Sequence, residues 1–295
     1  MAILVGSGTA VVVQGATGRQ GAFHTRSMLQ YGTKVLAGVT PMKGGQRLDG
    51  IPIYNTVEEA VRSHPEINTS LIMVPAPNVA DAVYEAVDAG LRLLVIITEH
   101  VPIHDTISFL RYARLHGVEV VGPNCPGVIT PGEAKVGIMP GHIFRRGVVG
   151  MVSRSGTLTY EIAYGISKLG LGQTTAVGIG GDPITGLDFI EVLTMFEKDN
   201  DTKAVVLIGE IGGDMEERAA EYIRVRGFKK PVVAYVAGVT APPEKRMGHA
   251  GAIISMGMGD YESKVKALRS AGVHVASTPS EVSTLLSKLL AGVKA

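Results

Sequence analysis

The sequence predicts an α/β fold with two domains, each a parallel sheet covered by helices on both faces. Short runs of β-branched and other apolar residues end in Gly, Pro, Thr or Asn, and amphipathic helical segments separate these runs. This alternation restarts once, near residue 147. A chain of 295 residues has room for two ordinary domains. We therefore expect one domain over residues 1–147 and a second over residues 148–295.

Five strands are expected in each domain, because five apolar runs precede the restart and five follow it. The runs cover residues 10–15, 34–40, 69–77, 91–99 and 118–124, and then 148–156, 174–181, 203–213, 230–238 and 273–278. Residues 131–147, between the two sets, are rich in turn-forming residues and are expected to link the domains.

The composition argues against several classes of function. Lysine and arginine number 28 against 27 acidic residues, so the formal net charge is +1 and gives no reason to expect nucleic acid or an anionic membrane as partner. No apolar run approaches the roughly 18 residues of a membrane span. The first cationic side chain is Arg19, so we interpret the apolar start as a buried strand and not as a signal peptide. Cys125 is the one cysteine, which excludes an internal disulfide and suggests the reducing cytoplasm.

A glycine loop follows the first strand. Residues 15–21 read GATGRQG, which has the spacing G-x-x-G-x-x-G and includes Thr17, Gly18, Arg19 and Gln20. Between a strand and a helix, such a loop lets backbone amides approach a phosphate, although it can also be a plain tight turn. The second strand ends without the acid that an NAD site requires and is followed by Lys43. A lysine here suits the extra ribose phosphate of NADP or coenzyme A, or is simply solvated.

Other strands of the first domain end in polar segments at the same predicted edge. Ile97, Thr98 and Glu99 end the fourth strand, and Asn124 and Cys125 follow the fifth. The cysteine is either close to a bound thiol or thioester, or a small buried hydrophobic residue.

In the second domain, three features indicate phosphoryl chemistry. Ser155, Gly156 and Thr157 follow a strand and begin a helix, which makes an anion site or an ordinary helix cap. The spacing is not G-x-S-x-G, so a serine nucleophile is disfavoured. Glu210 lies between glycines at a strand end, and His249 lies in the loop 239–258 among small residues. An imidazole nitrogen could attack a phosphoryl group while Glu210 holds the other ring nitrogen and helix amides stabilise the charge.

Eight motifs together resemble the family of succinyl-CoA synthetase (succinate–CoA ligase) α subunits, nearly from end to end. They are GATGRQG, VTPMKGG, ITE, GPNCPGVITPGE, SRSGTLTYE, GIGGDPI, GEIGG and KRMGHAGAII. The resemblance implies a Rossmann-like CoA-binding domain followed by a flavodoxin-like doubly wound ligase domain. It also implies a phosphohistidine intermediate and a β subunit of the ATP-grasp type.

The resemblance assigns roles to residues of this chain. His249 is the implied phosphohistidine and Glu210 the implied acid of GEIGG. The implied CoA residues are Thr17, Gly18, Arg19, Gln20, Lys43, Ile97, Thr98, Glu99, Asn124 and Cys125. Tyr160 is implied in the CoA and substrate site, and Ser155, Gly156 and Thr157 begin the phosphate-facing helix. This sequence departs from the family at Arg19, at His100 in place of the usual glycine, and by a proline in APPEKRMG.

The expected reaction is succinyl-CoA + phosphate + NDP ⇌ succinate + CoA + NTP. The chain has no G-x-x-x-x-G-K-[ST] loop, so the nucleotide (ATP/ADP or GTP/GDP, with Mg²⁺) is expected on the β subunit of an αβ or α₂β₂ assembly. No H-E-x-x-H or C-x-x-C metal motif occurs. The alternatives are a malate– or citrate–CoA ligase subunit, an NADP-dependent dehydrogenase, and a CoA-binding module without catalysis.

Overall fold

The computed structural model describes residues 2–255 and 259–291, and within these ranges the chain forms two seven-stranded sheets. Helices alternate with the strands along the chain. In these same ranges no helix combines the length and apolar character that crossing a bilayer requires.

The first sheet is parallel except for one hairpin. Its strands β1 to β7 are Ala10–Gln14, Lys34–Val39, Arg47–Leu48, Ile51–Tyr54, Thr69–Ile72, Leu93–Ile96 and Glu119–Val121. Its helices α1 to α4 are Arg19–Tyr31, Val57–Ser63, Val79–Asp88 and Ile103–Leu115. The strand order is β3-β4-β2-β1-β5-β6-β7, and only the β3–β4 pair is antiparallel. The direction of the order changes at β1, which pairs with both β2 and β5.

The second sheet is parallel around the central strand β10 and antiparallel at one edge. Its strands β8 to β14 are Gly127–Thr130, Ala134–Gly137, Arg146–Ser153, Gln173–Gly178, Ala204–Glu210, Val232–Ala237 and His274–Ala276. Its helices α5 to α9 are Gly156–Lys168, Phe189–Lys198, Met215–Arg226, Tyr261–Ser270 and Pro279–Leu289. The order is β14-β13-β12-β10-β11-β8-β9, so β10 lies between β11 and β12.

Burial on both faces explains the continuous apolar strands. Along β12, Val205 and Leu207 pack into one core, whereas Val206 and Ile208 pack into another on the opposite face. All seven residues of β12 are buried. Alternate side chains point to opposite faces of a strand, so a sheet covered on both sides needs apolar residues at every position.

The ten predicted strands are confirmed, and the two short hairpins β3–β4 and β8–β9 were missed. Each strand of β8–β9 has four residues and is bounded by turn formers, which hides the period of a strand. Gly127 and Gly137 let the two backbones approach, since a Cβ on Gly127 would lie 2.8 Å from Gly137 Cα. This hairpin pairs with β11 of the second sheet, although it precedes residue 147. The domain boundary near residue 147 stays a prediction.

Both sheets bring polar strand ends to their carboxyl edges, where ligands bind in open α/β folds. The end of β1 and the ends of β2 and β5 meet in the first sheet, and the ends of β10 and β12 meet in the second. These two edges contain the candidate sites.

Candidate functional site

The candidate active centre is a histidine held by a carboxylate. Glu210 is the last residue of β12, and its side chain is 8% exposed. Its Oε2 lies 2.8 Å and its Oε1 3.0 Å from Nδ1 of His249. The His249 side chain is 31% exposed, so the ring is buried on the side of Glu210 and open elsewhere. The carboxylate accepts a hydrogen bond from Nδ1–H, so in the neutral ring Nε2 is the nitrogen with a free lone pair.

The pKa of His249 lies above its ordinary value. The hydrogen bond that its Nδ1–H donates to Glu210 is the main cause, because this bond favours the protonated ring. Burial opposes this effect, the charge of Glu210 adds to it, and the Arg154 cation and Asp182 contribute in opposite senses. The imidazole therefore becomes a nucleophile only as the pH rises through this raised pKa.

Glycines near His249 allow close contact between the loop that carries it and Gly181 and Arg154. A Cβ on Gly181 would overlap the imidazole at Cγ and Nδ1. A Cβ on Gly251 would lie 2.9 Å from Gly181 O and 3.1 Å from Arg154 Nη2. The amide of Gly251 donates to Gly181 O at 3.0 Å. Residues 256–258 of the predicted loop 239–258 lie outside the described residues.

The start of α5 is the predicted helix cap. Ser155 is the N-cap of α5, and its hydroxyl accepts a hydrogen bond from the amide of Leu158 at 3.4 Å. Gly156 and Thr157 are the next two residues, and amides in the first turn of a helix have no partner within it. Arg154, just before the cap, places Nη2 beneath Gly251. The side chain of the residue before this cap therefore lies against the turn that follows His249.

Tyr160 of α5 packs against the core of the second sheet, with its hydroxyl close to Gly156. A Cβ on Gly156 would lie 3.7 Å from the Tyr160 hydroxyl and 3.5 Å from Pro126 Cβ. Burial raises the pKa of Tyr160 to about 12, and Cys125 adds to the effect. The phenol therefore stays protonated and can donate a hydrogen bond at neutral pH.

The predicted CoA loop lines a large cavity at the edge of the first sheet. The cavity has a volume of 930 Å³ and lies between the ends of β1, β2 and β5. Thr17, Gly18, Arg19 and Gln20 all line it. Lys43 lies beside them, and its Nζ donates to Thr17 Oγ1 at 3.2 Å. Four of the ten predicted CoA residues therefore line the wall, and Lys43 contacts one of the four.

The cavity fits a large phosphorylated ligand. The N-cap of α1 is Gly18, so the first amides of this helix and the cations of Arg19 and Lys43 offer donors to phosphate. Pro41, Met73 and Pro75 supply apolar surface to the same cavity. Gly15 has φ +83°, and a Cβ there would lie 2.8 Å from Met73 O, so only glycine lets the loop turn this closely over the sheet.

Acidic and amide groups on the opposite wall were not predicted. Glu85 lines the cavity and accepts hydrogen bonds from Gln14 Nε2 at 3.2 Å and from the amide of Val57 at 2.8 Å. Gln14 also donates to Ala82 O at 3.0 Å. These bonds join β1, α2 and α3, so Glu85 has a structural role in the wall. A buried glutamine at a strand end was the available signal in the sequence.

Another group of predicted residues lies between the cavity and the histidine. Thr98 Oγ1 donates to Val74 O, in the cavity wall, at 2.7 Å. The amide of Asn124 donates to Thr98 O at 3.0 Å, and its Nδ2 donates to Asp182 Oδ1 at 2.8 Å. Asp182 follows Gly181, which packs on His249. A continuous line of contacts therefore joins the two sites.

Ile97, Glu99 and Cys125 are not in the cavity wall. Cys125 is 4% exposed, and its Sγ donates to Ile96 O at 3.2 Å. Burial raises the pKa of the thiol to about 12. In this conformation Cys125 fits the alternative of a small buried residue. His100, after Glu99, has φ +61°, a left-handed conformation that explains why glycine suits this position.

Three buried charged residues of the second site were not predicted at all. Arg154, Glu216 and Lys264 form ion pairs with side-chain exposures of 2%, 0% and 0%. Charged residues are almost never fully buried unless they are paired. For Arg154 a signal was present, since it directly follows a buried strand in SRSG. Glu216 and Lys264 lie on helices that look polar in sequence, so no local pattern indicated them. In the described ranges, no group of three or more His, Cys, Asp and Glu side chains could hold a metal ion.

Two family models match the chain. A CoA binding domain matches residues 7–100, and a CoA-ligase model matches residues 152–274. These ranges contain the cavity loop and the His249 site respectively.

Curated relatives match over nearly the whole chain. The succinate–CoA ligase [ADP-forming] subunit alpha 2 of Archaeoglobus fulgidus is 60% identical over 98% of this chain and 100% of its own length. The succinate–CoA ligase [ADP-forming] subunit alpha of Aquifex aeolicus is 58% identical over 98% of this chain and 95% of its own.

Among solved structures, an ATP citrate lyase from Methanosaeta concilii in complex with (3S)-citryl-CoA has a TM-score of 0.90 at 24% identity. It covers 99% of this chain, which spans 52% of the lyase chain. At this identity the likeness concerns the fold.

Proposed function

Because this chain belongs to the family of succinate–CoA ligase alpha subunits, we propose that it catalyses the same reaction together with a β subunit. The reaction is the reversible conversion of succinyl-CoA, phosphate and ADP to succinate, CoA and ATP. The choice of ADP over GDP follows the names of the relatives. The single observation that supports it best is the contact of His249 Nδ1 with the Glu210 carboxylate at 2.8 Å, which leaves Nε2 as the nucleophile.

The first step makes an acyl phosphate. An oxygen of phosphate attacks the thioester carbonyl of succinyl-CoA, the carbon–sulfur bond breaks, and CoA leaves as its thiolate. Ser155, Gly156 and Thr157 bind the attacking phosphate, because the helix start offers unpaired amides and a partial positive charge. Tyr160 donates a hydrogen bond to the substrate, which its raised pKa allows at neutral pH.

The second step transfers the phosphoryl group to this chain. The lone pair on Nε2 of His249 attacks the phosphorus of succinyl phosphate, and the bond to the succinate oxygen breaks. Positive charge develops on the imidazole as the bond forms, and the Glu210 carboxylate stabilises it through Nδ1–H. Glu210 therefore acts on the reacting ring directly, as a catalytic residue.

The third step passes the group to the nucleotide. A terminal oxygen of ADP attacks the phosphorus on Nε2, the nitrogen–phosphorus bond breaks, and ATP leaves with a neutral imidazole behind. Mg²⁺ on the partner would neutralise the phosphate charge. We propose an ATP-grasp β subunit as the site of both, because no P-loop motif occurs in this sequence. The assembly is αβ or α₂β₂, and the proposed compartment is the cytoplasm.

The cavity of the first domain holds CoA in this proposal. Thr17, Gly18, Arg19 and Gln20 bind its phosphates, and Lys43 binds the ribose phosphate. Ile97, Thr98, Glu99, Asn124 and Cys125 border the path to the second site, and the contacts of Thr98 and Asn124 support this placement. The thiol end of CoA would follow that path toward Gly156 and Tyr160.

Labelling of the complex with the candidate β subunit tests the proposal. Incubation with [γ-³²P]ATP should give acid-labile phosphate on the native chain and none on His249→Asn. The matched control is His104→Asn, which changes an exposed histidine at the start of α4 and should label normally. Persistent labelling of His249→Asn would reject the assignment.

Other functions make different predictions for the same complex. A malate– or citrate–CoA ligase would keep the labelling but would form the CoA thioester of another acid in a substrate panel. The NADP-dependent dehydrogenase is not favoured, since the relatives are ligase subunits. A CoA-binding module without catalysis would bind CoA but never label.

A further inference from the structure

The side chain of Arg154 lies at the centre of a buried ion network beneath the histidine loop. Its Nη1 is 3.0 Å from Glu216 Oε1, 3.2 Å from Glu210 O and 3.0 Å from Gly212 O. Its Nη2 is 3.4 Å from Glu210 Oε1. One guanidinium therefore contacts both the backbone and the carboxylate of Glu210, and the turn that follows it.

Glu216 also binds Glu210, through its backbone amide. Its Oε1 accepts a hydrogen bond from the amide of Glu210 at 3.1 Å, and its Oε2 is 2.6 Å from Lys264 Nζ. Burial alone would raise the pKa of Glu216, but the Arg154 and Lys264 cations outweigh it, and the pKa lies below its ordinary value. Glu216 is therefore an anion that ties Arg154 to the backbone of Glu210.

The network reaches the histidine loop as well. A Cβ on Gly251 would lie 3.1 Å from Arg154 Nη2, so the turn after His249 rests on the guanidinium. Arg154 thus contacts Glu210 itself and the turn that follows His249. Its other polar nitrogen, Nε, is buried without a hydrogen-bond partner among the described residues.

We propose that Arg154, braced by Glu216, is the positioning residue that holds the Glu210 carboxylate against Nδ1 of His249. The inference rests on the proposed function only in giving this contact a catalytic purpose. Arginine suits the role because its planar fork can contact a carboxylate and two carbonyls at once, which the single ammonium of lysine cannot. When Arg154 is removed, the Glu210 carboxylate loses its contact with Nη2. The carbonyls of Glu210 and Gly212 also lose the hydrogen bonds that Nη1 donates.

The titration of His249 separates positioning from a mere charge effect. Three charged side chains face the ring, namely Glu210 at the end of β12, Asp182 after β11 and Arg154 after β10. The hydrogen bond that the ring donates to Glu210 is the largest cause of its raised pKa. If Arg154 positions Glu210, its loss releases that bond and the pKa of His249 falls. If Arg154 acts only as a nearby cation, its loss removes a charge that lowers the pKa, and the pKa rises.

The experiment compares Arg154→Met with Lys135→Met in the reconstituted complex with ¹³C-labelled histidine. Lys135 is a buried cation of β9, 2% exposed, that donates to Ser27 at 2.7 Å and does not contact the network, so it controls for loss of a buried charge. The His249 resonance is assigned with His249→Asn. We expect a lower His249 pKa and phosphorylation slowed by about 10- to 100-fold in Arg154→Met only. An unchanged or higher pKa in Arg154→Met would overturn the proposal.

Two more variants keep the test decisive if Arg154→Met does not fold, since an unpaired buried carboxylate destabilises a protein strongly. Arg154→Lys retains the charge and should lower the His249 pKa in the same direction but less. The double variant Arg154→Met with Glu216→Gln removes both charges and should behave as Arg154→Met does. A native pKa in both would overturn the proposal. The titration needs no turnover, so it is independent of the labelling test. The expected pKa change can be absent while His249 is labelled normally, which would overturn only the role of Arg154. It can also be present while His249 is not labelled, which would overturn only the proposed function.

Discussion

Gly181 packs flat against the imidazole of His249, with no room for a methyl group between them. A Cβ on Gly181 would overlap Cγ and Nδ1 and would lie 2.8 Å from Cδ2. Glu210 contacts the same ring through Nδ1, so the ring is held by Gly181 as well as by the carboxylate. The other ring nitrogen, Nε2, is the one we assign to phosphoryl transfer.

Gly181→Ala should therefore displace the ring without unfolding the protein. Gly181 does not have a positive φ, so alanine fits its backbone, and the three atoms nearest to the added Cβ all belong to the imidazole. A shift of about 1 Å at a reacting group can reduce the rate about 100-fold, and we expect a loss of that order in histidine phosphorylation. The control is Gly8→Ala, where a Cβ meets nothing within 4 Å. Labelling of Gly181→Ala at the native rate would mean that the packing does not matter.

Glu210→Gln should slow phosphoryl transfer and move its pH dependence. Loss of the carboxylate lowers the raised pKa of His249, because the bond to Glu210 is its main cause. The neutral ring then forms at lower pH, so the rising limb of the rate profile shifts to lower pH. The maximum rate should fall about 100- to 1000-fold, since the developing imidazolium loses its counter-charge. Rapid-quench labelling across pH measures both effects.

The control for this variant is Glu262→Gln, which changes an exposed acid in the first turn of α8. It should keep the native rate profile. If the rising limb of the pH–rate profile of Glu210→Gln were at the native pH, the result would contradict the contact between Glu210 and His249.

Lys43→Ala should weaken CoA binding through one phosphate only. Lys43 lies at the cavity loop in contact with Thr17, and we assign it to the ribose phosphate. Loss of one exposed charge-assisted contact should raise the Kd for CoA about tenfold, and Kd for dephospho-CoA should not change. Isothermal titration of both ligands gives the comparison.

The matched control is Lys34→Ala, since Lys34 is also exposed but bonds to Ser7 O at 3.0 Å, away from the cavity loop. It should bind both ligands normally. Equal losses for CoA and dephospho-CoA in Lys43→Ala would place the ribose phosphate elsewhere.

Ser155→Ala should weaken phosphate binding in addition to lowering the free energy of unfolding. The hydroxyl caps α5, and loss of a cap costs about 1 kcal/mol of unfolding free energy. If phosphate binds at the same helix start, as we propose, it should lose a further contact, so KM for phosphate should rise about tenfold while the Kd for CoA is unchanged. Thr278→Ala removes the cap of α9, which accepts from Glu281 at 3.3 Å, and is the control. If both variants changed KM for phosphate alike, the effect would be one of stability.

The alternation of strands and helices made the fold predictable from sequence. Ten buried strands could be assigned because sheets covered on both faces need uninterrupted apolar runs, as in β12. The β8–β9 hairpin could not, because four-residue strands between glycines and prolines have the composition of turns. Which sheet such a hairpin joins depends on long-range pairing, here with β11.

For the site, the contact between Glu210 and His249 was predictable because both stand out in their local sequence. The buried partners were not, since Glu216 and Lys264 lie on α7 and α8 among many exposed charges. Gly181 was visible only as part of a glycine-rich motif. Its packing against the ring depends on how two distant loops meet, which local sequence does not specify.

The most direct test of the central claim follows phosphate from the thioester side. The complex is incubated with succinyl-CoA and [³²P]phosphate without nucleotide, quenched in alkali and digested. We expect acid-labile label on the peptide that contains His249, and its transfer to ATP when ADP is added. ATP formation from succinyl-CoA with no label ever present on that peptide would contradict the account.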